Sequence, residues 1–177
     1  TLSSSSAASD VYKRQGMYKA GFQHLAHGPM ASDSVRDDAT ARGALYWLTT
    51  GRTDWIEPSL ATDPRPAVAF NLTILNELTG TSLEPDLSDH VLMLEEVSEA
   101  AYRIDRMMFH LTSQASIRRV AGIRLGRVSD VTPNDPDFGQ TPEEIVRYWC
   151  LRSGIPFLGS ADIGHDAANK VVPFGRP

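Results

Sequence analysis

Two kinds of apolar pattern alternate along this chain: short unbroken apolar runs, and longer stretches in which apolar positions recur every three or four residues. The unbroken runs predict strands. They are VLMLEE from Val91, VAGIRLGRVS from Val120, IPFLGSADIG from Ile155 and VVPFG from Val171. The spaced stretches predict helices. One follows a Ser98 cap and sets Ala101, Ile104, Met108 and Leu111 against the core; Glu99 and Arg103 on its other face form an i,i+4 surface pair, worth about 0.2–0.5 kcal/mol. A second opens on the capping box Thr141-Pro142-x-Glu144, carries Ile145, Tyr148 and Trp149 as its core stripe, and closes at Gly154.

The earlier part of the chain is punctuated differently. A last helical turn ends near Gly21, a short strand FQHLA follows, and His27 to Met30 form a loop. Ser32 or Ser34 then caps a helix to about Thr49, with Ala41, Leu45 and Leu48 on one face and Gly51 beyond its end. Residues 51–68, with Pro58, Asp63, Pro64 and Pro66, have the composition of a linker or interdomain crossing, which puts a boundary near 60–66. Asn71 caps the short helix LTILNEL, which Gly80 ends. Strands alternating with helices make this an α/β chain.

Composition narrows the chemistry. A formal net charge of −5 without a basic stripe argues against nucleic acid as a partner, and no apolar run is long enough to span a membrane. The single Cys150, inside the apolar run YWCL, reads as a buried thiol in a reducing compartment, hence a cytoplasmic location. The first fifteen residues, TLSSSSAASDVYKRQ, are a serine tract without periodicity and read as a non-native, adaptor-like segment.

Candidate chemistry sits at two strand ends. Glu95 follows VLML, and His165 follows the run ending in Ile163. Neighbours in a strand point to opposite faces, so only one of Glu95 and Glu96 can serve a given cleft. Glu95, on the face of Val91 and Met93, would be partly buried and would require a hydrogen-bonding partner such as a histidine. The plainer reading is also open, with Glu95 a strand-end residue and His165 a turn residue. Asp162, His165 and Asp166 cluster, as do His24 and His27, but neither set makes an HExxH or cysteine-rich metal pattern, and no phosphate-binding glycine loop occurs. No cofactor or metal is expected.

Several motifs in one order point further: HGPM at 27–30, FNLTILNELTGT at 70–81, VLMLEEVSEAAYRIDRMMFHL at 91–111, AGIRLGRVS at 121–129, NDPDFG at 134–139 and GHDAANKVVPFG at 164–175. In these, residues 17–175 resemble the carboxyl-terminal two thirds of the LD-carboxypeptidases, the serine peptidases of murein tetrapeptides and microcin C self-immunity. The resemblance implies a mixed β/α carboxyl-terminal domain at 63–177, truncated at its end, and a remnant of the amino-terminal α/β nucleophile domain with its linker at 16–62. It implies Glu95 as charge-relay acid and His165 as general base of a Ser-Glu-His triad, a murein tetrapeptide substrate losing its terminal D-alanine, and a homodimer. The anchor for the substrate carboxylate stays unassigned, since Arg103 and Arg106 look like solvated helix-face residues.

The chain departs from the family pattern in three places. Ala69 and Phe70 stand where the family shows a Gly-Gly pair, putting substrate preference in question. The serine is expected a helix upstream of HGPM, where Ser9-Asp10 lacks the preceding strand and glycine of a nucleophile turn. Relatives also continue with a further strand beyond PFG. The expectation is therefore a partial, catalytically silent copy of a serine carboxypeptidase; the alternatives are a microcin-type peptidase and a non-catalytic binding domain of the same fold.

Overall fold

A computed structural model describes residues 25–29, 39–166 and 168–175. Its elements, in chain order, are β1 (Ala26–His27), α1 (Ala39–Thr50), a 3-10 turn (Pro58–Ala61), β2 (Ala67–Asn71), α2 (Leu72–Leu78), β3 (Val91–Val97), α3 (Ala101–Ser113), a 3-10 turn (Ile117–Arg119), β4 (Gly122–Ser129), α4 (Pro142–Ser153), β5 (Phe157–Ser160) and β6 (Val172–Pro173). Strands β2 to β5 form one parallel sheet in sequential order, and β1 pairs antiparallel with β6.

Alternation along the strands explains how this sheet is buried on both faces. Val68, Phe70, Leu92, Leu94, Ile123 and Leu125 point into a core shared with Leu72 and Leu75 of α2, Ile104, Met108 and Leu111 of α3, and Ile145, Val146 and Cys150 of α4. Their neighbours Ala67, Ala69, Val91 and Met93 face a smaller core with Leu60, Ala161, Ile163 and Val172. Helices crossing between sequential parallel strands thus lie on one face, and residues of the Pro58–Ala61 turn, the 161–163 segment and β6 cover the other.

Helix ends follow local chemistry. Asn71 accepts from the Ile74 N–H and caps α2. The Thr141/Glu144 capping box is formed with Pro142 in the first turn, and Gly154, at φ 77°, closes α4 in the left-handed conformation. The Glu99–Arg103 pair is present at 3.6 Å.

Several expectations need correction. Ser98 does not cap α3: it sits at φ 62°, and Ala100 occupies the cap position without a side-chain bond. The stripe of α1 is inverted among the described residues, since Leu45 and Leu48 are exposed whereas Thr40 and Gly43 are buried, Gly43 against the Trp55 ring. Tyr148 of α4 is likewise exposed, and Val146 and Cys150 take the inner face. Among the described residues the strand near residue 26 comprises Ala26–His27, so His27 belongs to it and not to the following loop, and Leu25 lies before it; residues 22–24 and the Ser32 and Ser34 caps lie outside the described residues.

Residues 51–68 are more than a crossing. Ile56 bridges to Val171, Leu60 is buried, and β2 begins at Ala67. Proline-rich flanks hid this strand, because two prolines break local periodicity without preventing the following AVAF run from pairing along β3.

Candidate active site

The carboxyl end of β3 carries two buried carboxylates with different surroundings. Glu96 turns towards the amino end of α2, where its Oε1 accepts from Asn71 Nδ2 (2.8 Å) and its Oε2 accepts from the Thr73 N–H (2.8 Å) and hydroxyl (2.6 Å). It is therefore part of the helix cap. Glu95, only 2% exposed, turns to the opposite face, and its Oε2 lies 3.8 Å from Nδ1 of His165, whose side chain is 37% exposed. The strand alternation thus separates the pair as the pleat requires.

A bulge in β4 shapes this face. Leu94 pairs with Leu125 and Glu96 with Val128, so Gly126 and Arg127 together oppose Glu95. Gly126 is packed so closely that a Cβ there would come within 2.5 Å of Ile163 Cγ1, 2.8 Å of the Ile163 carbonyl and 3.2 Å of Glu95 Cβ. The absence of a side chain lets the turn bearing His165 approach Glu95.

That turn is closed by its own bonds and by neighbours. Asn169, buried, accepts from the Gly164 N–H through Oδ1 (3.1 Å), and its own N–H donates to the Asp166 carbonyl (3.1 Å). The Asp162 N–H donates to Oε1 of buried Glu57 (3.2 Å), and the Arg127 N–H to the Ile163 carbonyl (2.8 Å). The Arg127 guanidinium spans both carboxylates flanking His165, with Nη1 donating to Asp162 and Nε and Nη2 donating to Asp166.

Partial burial works to raise the Asp166 pKa, but the hydrogen bonds from Arg127 and from the Ala168 N–H, with the charges of Arg127 and His165, bring it below the ordinary 3.8. The acidic residues near His165 are thus engaged by a cation of the protein itself. Among the described residues no group of three or more His, Cys, Asp and Glu side chains is arranged to hold a metal ion.

Arg103 and Arg106 lie on the outer face of α3, Arg103 beside Glu99 and Arg106 over the Tyr102 ring at 5.0 Å. Near the start of that helix is an open, polar pocket of about 450 Å³ lined by residues that include Ser98, Glu99, Arg103, Asn134 and Asp135. Ala69 and Phe70 are both buried in β2, with Phe70 packed edge-on against Phe174 at 5.3 Å, so neither side chain projects freely into a cleft.

Sequence reasoning missed Arg127, Glu57 and Asn169, because their partners are 35 to 39 positions away, 105 positions away, and across a non-repetitive turn, respectively. The one local signal was the glycine before His165: a Cβ on Gly164 would meet Arg127 Nε at 2.8 Å.

Chemically, an imidazole that reaches solvent and faces a buried carboxylate is suited to accept a proton from a hydroxyl and to be stabilised as imidazolium while it holds it.

Comparison with known proteins agrees with this architecture. Residues 66–177 match the family described as the LD-carboxypeptidase C-terminal domain. A Synechocystis protein with a carboxypeptidase designation is 35% identical over 108 residues, covering 61% of this chain and 36% of that protein. The crystal structure of muramoyltetrapeptide carboxypeptidase from Oxalobacter formigenes superposes with a TM-score of 0.76 at 26% identity, covering 93% of this chain and 60% of that one. The microcin C7 self-immunity protein shares the fold, with a TM-score of 0.73 at 15% identity over 93% of this chain and 60% of its own. The chain therefore spans between about a third and three fifths of the length of these relatives.

Proposed function

Because this chain belongs to the LD-carboxypeptidase family through residues 66–177, we propose that it supplies the acid and the base of a serine-type carboxypeptidase acting on murein tetrapeptides. Neutral His165 takes the proton of a serine hydroxyl as that oxygen bonds to the peptide carbonyl carbon. The imidazolium then gives the proton to the leaving amine as the C–N bond breaks, releasing D-alanine, and water cleaves the acyl-enzyme by the same route. Glu95 fixes the imidazole's tautomer and stabilises its charge from a site that water does not reach.

The observation carrying this reading is the 3.8 Å approach of a 2%-exposed carboxylate to a solvent-reaching imidazole at the carboxyl end of a parallel strand. A separation of that size shortens to a hydrogen bond as the catalytic complex forms. The likeness to the muramoyltetrapeptide carboxypeptidase favours the murein substrate. A cytoplasmic location suits the lone Cys150, a thiol that burial pushes up to about 12 and so keeps from reacting.

The test is D-alanine release from a murein tetrapeptide by the whole protein that carries this chain. Glu95→Gln and His165→Ala are each expected to lower kcat by about 10³-fold or more with the fold retained. Activity close to wild type in either variant rules the assignment out. A parallel assay on an aminoacyl sulfamoyl nucleotide separates the microcin-type reading, which would show its larger loss there.

A further inference from the structure

We propose that Arg127 is a positioning residue for His165, engaging the carboxylates of Asp162 and Asp166 so that Glu95 is the carboxylate the imidazole faces. The proposal rests on the catalytic reading of His165, but its test does not depend on turnover.

The geometry is specific. His165 lies between two aspartates, and an imidazole flanked by two uncompensated carboxylates has alternatives to Glu95 on its own turn. Arg127 removes both alternatives together. Its Nε and Nη2 form a fork on Asp166, the latter at 3.0 Å, while Nη1 reaches Asp162. A planar five-donor fork suits this double engagement, and a lysine ammonium would not reproduce it.

Position matters as much as charge. Arg127 is the second residue of the bulge opposite Glu95, and its N–H donates to the Ile163 carbonyl. The residue that restrains the histidine turn is therefore anchored on the strand beside the glutamate. Gly164 allows the guanidinium to lie over the turn, since a Cβ would stand 2.8 Å from Nε and 3.0 Å from Arg127 Cβ.

Among the described residues, the charged groups near His165 include Glu95 from β3 and Asp166 from its own turn, while Arg127 from β4 holds that turn through Asp162 and Asp166, and the Glu57 carboxylate accepts from the Asp162 N–H. Lys170, further along, places its Nζ over the Trp55 ring at 4.5 Å. Removing the Arg127 cation leaves the two aspartates uncompensated, which favours the imidazolium and moves the His165 titration upward.

The test is an NMR titration of the His165 ring in the folded chain. Arg127→Gln is expected to raise the midpoint, because it removes a cation from the turn while both aspartates remain. The triple variant Arg127→Gln, Asp162→Asn, Asp166→Asn removes the cation and both anions together and is expected to return the midpoint to the wild-type value or slightly below it. An unchanged midpoint in folded Arg127→Gln overturns the proposal. So does a triple variant whose midpoint stays above wild type, an arm that stands alone if the single variant does not fold. Loss of peptidase activity in Glu95→Gln with no His165 shift in Arg127→Gln would leave the catalytic reading standing and remove this one.

Discussion

Adjacent residues of one type can hold unrelated jobs when a strand presents them to different faces. Glu95 and Glu96 are equally buried, yet Glu96 accepts from two groups of Thr73 and from the Asn71 amide, whereas Glu95 faces an imidazole. Removing a buried carboxylate that satisfies several donors leaves each of them unpaired. Glu96→Ala is therefore expected to cost about 2–4 kcal/mol, read as a fall in the urea midpoint with an unchanged m-value. Glu95→Gln, close in shape, is expected to leave the midpoint nearer wild type. Equal destabilisation by the two changes would mean that Glu95 is as structural as its neighbour.

At the scale of elements, the candidate site is made by irregularity in regular structure. The β4 bulge and the 162–170 turn meet at Gly126, where a methyl group would press on the Ile163 carbonyl, a backbone atom that cannot swing aside. Gly126→Ala is expected to destabilise the chain by about 1–3 kcal/mol and to shift the Gly164 and Asn169 amide resonances. Gly28→Ala is the control, because a Cβ there makes only an ordinary 3.6 Å contact with Val171 Cγ2. Matching effects at the two glycines would contradict the claim that close packing at the bulge sets the turn.

For the molecule as a whole, stability is graded outward from β3. This strand is paired on both sides, covered on one face by three helices and on the other by Leu60, Ala161, Ile163 and Val172. Hydrogen exchange should therefore be slowest at Leu92 to Leu94 and fastest in the exposed 130–140 loop. Exchange in the 130–140 loop as slow as in β3 would contradict that gradient. Much of this plan was legible in the sequence. The buried run at 91–94, the helical spacing of Ala101 to Leu111, the Thr141/Glu144 box and Gly154 at the end of α4 depend on local rules, acting within one turn or one pleat. The pleat also required Glu95 and Glu96 to diverge. What local pattern did not hold was which apolar residues of α1 and α4 face inward, since an amphipathic stripe is chosen by the surface it meets: Leu45, Leu48 and Tyr148 are exposed. Nor did it hold β2, whose AVAF run becomes a strand by pairing along β3, or the attachment of Arg127 to Asp162 and Asp166. The sequence by itself determined β3, the core stripe of α3 and both ends of α4, because those rest on contacts between near neighbours. Only the tertiary structure decided which ends meet, because His165 comes to Glu95 across a bulge and a closely packed glycine that lie elsewhere in the chain.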